Sequence, residues 1–133
     1  MVSSPDGKKL KVLIVTPSFP CVESGAEQMD RADGIRQLAR LGCEIVVIAK
    51  TNEWADKNLI EKNAGGMGAR VVTVPYKYSN RNRIPFFEKV FSILGRLRNP
   101  LYLDGAAYEY AEPEIQKVFK RELDSFKPDV VWF

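Results

Sequence analysis

Leu10–Thr16 reads LKVLIVT and Glu44–Ala49 reads EIVVIA. Both are short, β-branched and almost wholly apolar, the pattern of strands buried on both faces of a parallel sheet. Between them Pro17–Gly25 is marked as a loop by Pro17, Pro20 and Gly25. From Ala26 onward Ala26, Met29, Ala32, Ile35, Leu38 and Ala39 recur close to one face at helical spacing. Gly42 follows where a left-handed residue commonly stops a helix. The order strand, loop, helix, strand predicts two parallel strands joined by a right-handed crossover. That unit places the chain in the α/β class.

The rest of the chain extends the same pattern. Arg70–Val74 (RVVTV) is a third strand stopped by Pro75. Before it, a short helix is expected over Trp54–Lys62, ended by the glycine-rich Gly65-Gly66-Met67-Gly68. Ile84–Leu97 is helical by pattern, with Ile84, Phe87, Val90, Phe91, Leu94 and Leu97 aligned and Phe86 and Ile93 widening the face. Pro113 suits the first turn of another helix, which carries Ile115, Val118, Phe119, Leu123 and Phe126 on one side. Lys127-Pro128 breaks it, and Asp129–Phe133 (DVVWF) is a fourth strand. The expected architecture is a Rossmann-like parallel sheet of about four strands with flanking helices. A strand of this kind normally runs on into a loop and a covering helix. Its place at the end of the sequence suggests a partial domain, with an exposed edge through which the chain is expected to self-associate.

Composition narrows the chemistry. The chain has 133 residues, 45% hydrophobic and 28% charged, which suits one soluble globular domain. It contains no histidine, which removes Ser-His-Asp and Cys-His nucleophile systems, zincin-type sites and the imidazole acid/base. Cys21 and Cys43 form no CxxC. They fall at opposite ends of the two strands, roughly 15 Å or more apart at about 3.3 Å per strand residue, so neither a disulfide nor a metal cluster is expected. The opening MVSSPDGKKLKVLIVTPSFP has too short an apolar run for a signal peptide, which leaves the cytoplasm as the default compartment.

In open α/β sheets, ligands bind outside the carboxyl ends of the strands, and helix N-termini attract anions through unpaired N–H groups. Gly25, flanked by Ser24 and Ala26, stands where the first loop enters its helix, so backbone there can approach a phosphate closely. An equally simple reading gives Gly25 only a tight turn to relieve, with Ser24 as N-cap and Glu27 favourable against the helix dipole. GxGxxG and GxxxxGK[ST] are both missing, which counts against dinucleotide oxidoreductases and P-loop enzymes.

The pieces KVLIVTPSFP, ESGAEQ, LARLGCEIVVIA, RVVTVP and FKPDVVWF, in that order, resemble the amino-terminal domain of a family 4 (group 1) glycosyltransferase of GT-B architecture. The likeness runs through almost the whole chain, with the middle third, Thr51–Tyr110, matched least. It implies that residues 1–133 are part of an acceptor-side Rossmann-like domain, with a carboxyl-terminal donor-binding domain absent. The implied reaction moves a sugar, with retention, from a nucleotide-sugar to a glycan or lipid-linked acceptor, of the sort used in cell-envelope polysaccharides. Ser24, Gly25 and Ala26 would then lie against the donor diphosphate. Many members have two glycines there, where this chain has Ser24-Gly25. The family's amino-terminal catalytic histidine and its paired glutamates would lie beyond Phe133. No catalytic residue is therefore assigned here, the isolated chain is expected to be inactive, and no metal or cofactor is expected beyond the nucleotide-sugar substrate.

Charge is unevenly spread. Lys77, Arg81, Arg83, Lys89, Arg96 and Arg98 face one acid, Glu88, between positions 77 and 98, so this segment holds the whole basic excess of a +3 chain. Tyr76, Tyr78, Phe86, Phe87 and Phe91 are interleaved with it. The segment reads either as a core-facing helix with a solvated basic rim or as a patch for a lipid-phosphate acceptor or an anionic membrane. The patch reading puts the chain at the inner face of the membrane. It also supports an alternative function, a non-catalytic binding module docking a partner or membrane through Lys77, Arg81, Arg83, Arg96 and Arg98. No nucleic-acid-binding module accompanies these cations, and nucleic acid is not an expected partner. Tyr102, Tyr108 and Tyr110 are candidates either for packing or for sugar contact. Glu27, Asp30 and Asp33 recur every third residue and are explained by the helix dipole and solvation.

Overall fold

A computed structural model describes residues 7–20, 26–51, 55–75, 86–98 and 112–133. Four strands, β1 (Lys11–Thr16), β2 (Glu44–Lys50), β3 (Arg70–Val74) and β4 (Val130–Trp132), form one sheet in the order β3-β2-β1-β4. Every neighbouring pair is parallel, with Val12 opposite both Ile45 and Val130, and Val46 opposite Arg70. The helices are α1 (Ala26–Arg40), α2 (Lys57–Met67), α3 (Phe86–Arg98) and α4 (Pro113–Phe126). The expected α/β, Rossmann-like class is the class found.

Right-handed crossovers dictate which face each helix covers. The chain steps from β1 to β2 to β3 in one direction, so α1 and α2 share one face. It then steps back past β1 to β4, so α4 lies on the other. Side-chain alternation follows. Val12, Ile14, Ile45, Val47 and Ala49 pack under Ala32 and Ile35 of α1 and Ile60, Ala64 and Met67 of α2. Leu13, Val15, Val46 and Ile48 pack against Ile115 and Phe126 of α4. Both faces of β1 and β2 are thereby buried, which is why their sequences show no polar alternation.

The ends of the elements have local causes. Gly42, at φ 83°, closes α1 as its spacing predicts, with Cys43 N–H bonded back to Leu38 O at 3.1 Å. The second helix corrects the sequence reading. It starts at Lys57, where the Asp56 carboxylate accepts from Leu59 N–H at 2.8 Å, and it runs through Gly65 and Gly66 to Met67. Ala64 and Met67 are buried on its inner face, and that burial outweighs the roughly 1 kcal/mol each glycine costs relative to alanine. Gly68 alone has the positive φ and ends the helix.

β4 is fixed to β1 at its amino end. Lys11 N–H donates to the Asp129 carboxylate at 2.8 Å and Asp129 N–H donates to Lys11 O at 2.9 Å. Lys11 Nζ reaches Phe126 O at 3.2 Å and sits 5.3 Å from the Phe126 ring centre. The strand is shorter than the predicted 129–133, and Phe133 beyond it lies 5.9 Å from the Phe119 ring of α4.

Candidate functional site

The sheet order reverses direction between β1 and β4, and open α/β sheets take ligands outside the carboxyl ends of their strands at such a switch point. Thr16 is the last residue of β1. Strand alternation turns Thr16 to the α1 face, where it is buried. Its hydroxyl donates to Ser18 O at 2.7 Å and accepts from Ser18 N–H at 3.3 Å, which turns the chain away from the sheet.

Arg31, on the second turn of α1, donates from Nη1 to that same Thr16 oxygen. α1 runs antiparallel to the strands, so its amino end rises above the carboxyl edge while Arg31 lies level with the end of β1. A guanidinium carries five N–H donors, and Arg31 is half-buried beside the carboxyl end of β1. Three residues along the same helix, Gly34 meets the indole of Trp132 from β4. The face of α1 bearing Arg31 and Gly34 therefore bridges β1 and β4 across the switch point.

On the opposite face, β2 ends in a buried lysine. Lys50 Nζ lies 3.1 Å from Glu112 Oε2, with side chains 1% and 3% exposed. The contact is an ion pair without a well-directed hydrogen bond, and among the described residues Glu112 Oε1, also buried, has no hydrogen-bond partner. Glu112 is the residue before α4, but its carboxylate makes no cap to that helix. It turns to Lys50 and ties the start of α4 to the end of β2.

The residues singled out by sequence divide sharply. Ala26 is the first residue of α1. Ser24, Gly25, Lys77, Arg81, Arg83, Cys21, Tyr102, Tyr108 and Tyr110 lie outside the described residues. Arg96 and Arg98 lie on the last turn of α3, and Arg98 is exposed. Asp30 is exposed, and Asp33 is exposed and paired with Arg36 at 3.0 Å, which fits the structural reading of the acids on α1. Among the described residues no group of His, Cys, Asp and Glu is placed to hold a metal ion, and no helix is long and apolar enough to cross a membrane.

Sequence reasoning missed Arg31, Lys50 and Glu112. Lys50 had a legible signal, since it directly extends an unbroken buried strand in the register that faces α4. Arg31 and Glu112 had none, because each acquires its partner only through the tertiary fold. Comparisons with protein-family models, curated proteins and solved structures return no match.

Proposed function

We propose that this chain is the acceptor-side part of a retaining, nucleotide-sugar-dependent glycosyltransferase, and that the loop between β1 and α1 faces the donor diphosphate. The ordered motifs from KVLIVTPSFP to FKPDVVWF support the reading. The observation that carries it in the structure is the Arg31–Thr16 contact at the carboxyl end of β1, beside the β1–β4 switch point of the sheet. As a glycosidic bond to a diphosphate breaks, negative charge grows on the leaving phosphate. Backbone N–H groups at the start of α1 and a fixed cation are the groups that stabilise such charge. No acid/base or nucleophilic group is assigned to this chain, whose part in the reaction is to bind and orient.

The encoding DNA beyond the codon for Phe133 tests the reading. An open frame continuing into a second Rossmann-like domain with spaced glutamates is the expected result. A stop codon directly after Phe133 removes the enzyme and leaves a binding module.

A further inference from the structure

The helix α3 leaves its apolar side uncovered. Phe86, Phe87, Ile93, Leu94 and Leu97 are exposed, so this segment is not the core-facing helix that one of its two sequence readings predicts. Trp132 of β4 is a different case, because it stands beside the switch point of the sheet and is still 38% exposed. It lies opposite Ile14, which packs on the α1 side, so strand alternation turns the indole to that side too. There its Cη2–Cζ3 edge meets Gly34. Arg31 precedes Gly34 by three residues on the same flank of α1, about 4.5 Å nearer the carboxyl edge, and its Nη1 is held on Thr16. Thr16 lies two residues beyond Ile14, about 7 Å further along β1, and β1 and β4 are neighbours about 5 Å apart.

We infer that Trp132 is a stacking platform for a sugar ring bonded directly to a phosphate held at Arg31. A pyranose carries C–H bonds on its faces, and their slight positive charge suits the negative face of an indole. The contact also removes apolar surface of both partners from water. Two strand residues along and one strand across set the Thr16 end of the Arg31 contact roughly 8 Å from the position of Trp132, about the length of one hexose phosphate. A phosphate at Arg31 with its sugar turned toward β4 therefore covers the exposed indole. The two residues divide the recognition: the guanidinium takes the charge, and the indole distinguishes a sugar phosphate from a phosphate alone. The inference rests on the reading of the carboxyl end of β1 as a phosphate site, and adds to it the residue that recognises the sugar.

Parallel 15N NMR titrations of the full chain with glucose 1-phosphate and with methyl phosphate, a monoester of the same charge without the ring, test it. Glucose 1-phosphate should bind about fivefold more tightly and shift the indole N–H of Trp132, which methyl phosphate should leave in place. Trp132→Leu should erase that advantage and keep the affinity for methyl phosphate. Trp132→Phe, which retains an aromatic face, should keep part of the advantage. Arg31→Gln should weaken both ligands alike. Equal affinity of the two ligands for the wild-type chain, or an advantage that survives Trp132→Leu, overturns the inference and leaves the phosphate site standing. Failure of both ligands to bind removes the phosphate site and the inference together.

Discussion

Gly34 of α1 makes room for Trp132 of β4: a Cβ built at position 34 would lie 2.8 Å from Cη2 and 3.2 Å from Cζ3 of the indole. A residue with poor helix propensity thus sits in mid-helix because the edge strand places a large ring against it. Replacing glycine by alanine in a helix gains up to about 1 kcal/mol, and displacing a packed ring costs about 1–3 kcal/mol. Gly34→Ala should therefore destabilise the protein by roughly 1 kcal/mol and increase the exposure of Trp132 to quenchers. In a Trp132→Phe background, which lacks both clashing atoms, the same substitution should be neutral or stabilising. Urea unfolding of the four proteins checks this, and the same loss in both backgrounds would contradict it.

Lys50 and Glu112 give a second test. Removing one member of a buried pair leaves the other charge uncompensated, at a cost of about 3–5 kcal/mol. Lys50→Met should show a loss of that size in urea unfolding. Lys50→Met/Glu112→Leu should recover part of it, since the double variant no longer buries an uncompensated Glu112 charge. A double variant no more stable than the single one would mean that the pair does more than neutralise itself.

Helix ends and interiors separate the glycines by sign. Gly65 and Gly66 have open space where a Cβ would go, so alanine at either should stabilise by up to about 1 kcal/mol. Gly68 has φ +81° and a Cβ there would lie 3.0 Å from that of Ala39, so Gly68→Ala should cost about 1–2 kcal/mol. Lys127 holds the equivalent left-handed place after α4 at φ 51°, and Lys127→Gly should stabilise by roughly 1 kcal/mol. Thermal unfolding midpoints of the four variants report these signs directly.

Much of the fold was legible because it is written locally. LKVLIVT and EIVVIA announce buried parallel strands, Gly42 announces a helix stop, and Pro113 a helix start. The extent of α2 was not legible, because two glycines in its interior outvote its pattern until the sheet supplies a surface for Ala64 and Met67. The apolar face of α3 looks in sequence like those of α1 and α4, and only the tertiary arrangement distinguishes it. The site was partly legible: the loop before Ala26 is marked by composition, whereas Arg31 is joined to Thr16 only once α1 is laid across β1.

The outer edge of β4 should mediate association of the isolated chain. Val130, Trp132 and Phe133 are exposed along or just beyond an edge strand, where backbone groups invite pairing. Sedimentation velocity should show the average mass rising with concentration, and Val130→Lys should hold the chain monomeric. A wild-type chain that stays monomeric at high concentration would contradict the expectation.

The central claim is that the carboxyl end of β1, at the β1–β4 switch point, takes a phosphate-bearing ligand, and a 15N NMR titration with uridine diphosphate tests it most directly. The expected result is saturable shifts at Thr16, Ser18, Gly25, Ala26 and Arg31, weakened at least about tenfold by Arg31→Gln, in which a charge-assisted contact is lost. No saturable shift, or shifts confined to Lys117, Lys120 and Arg121 on the outer face of α4, would contradict it.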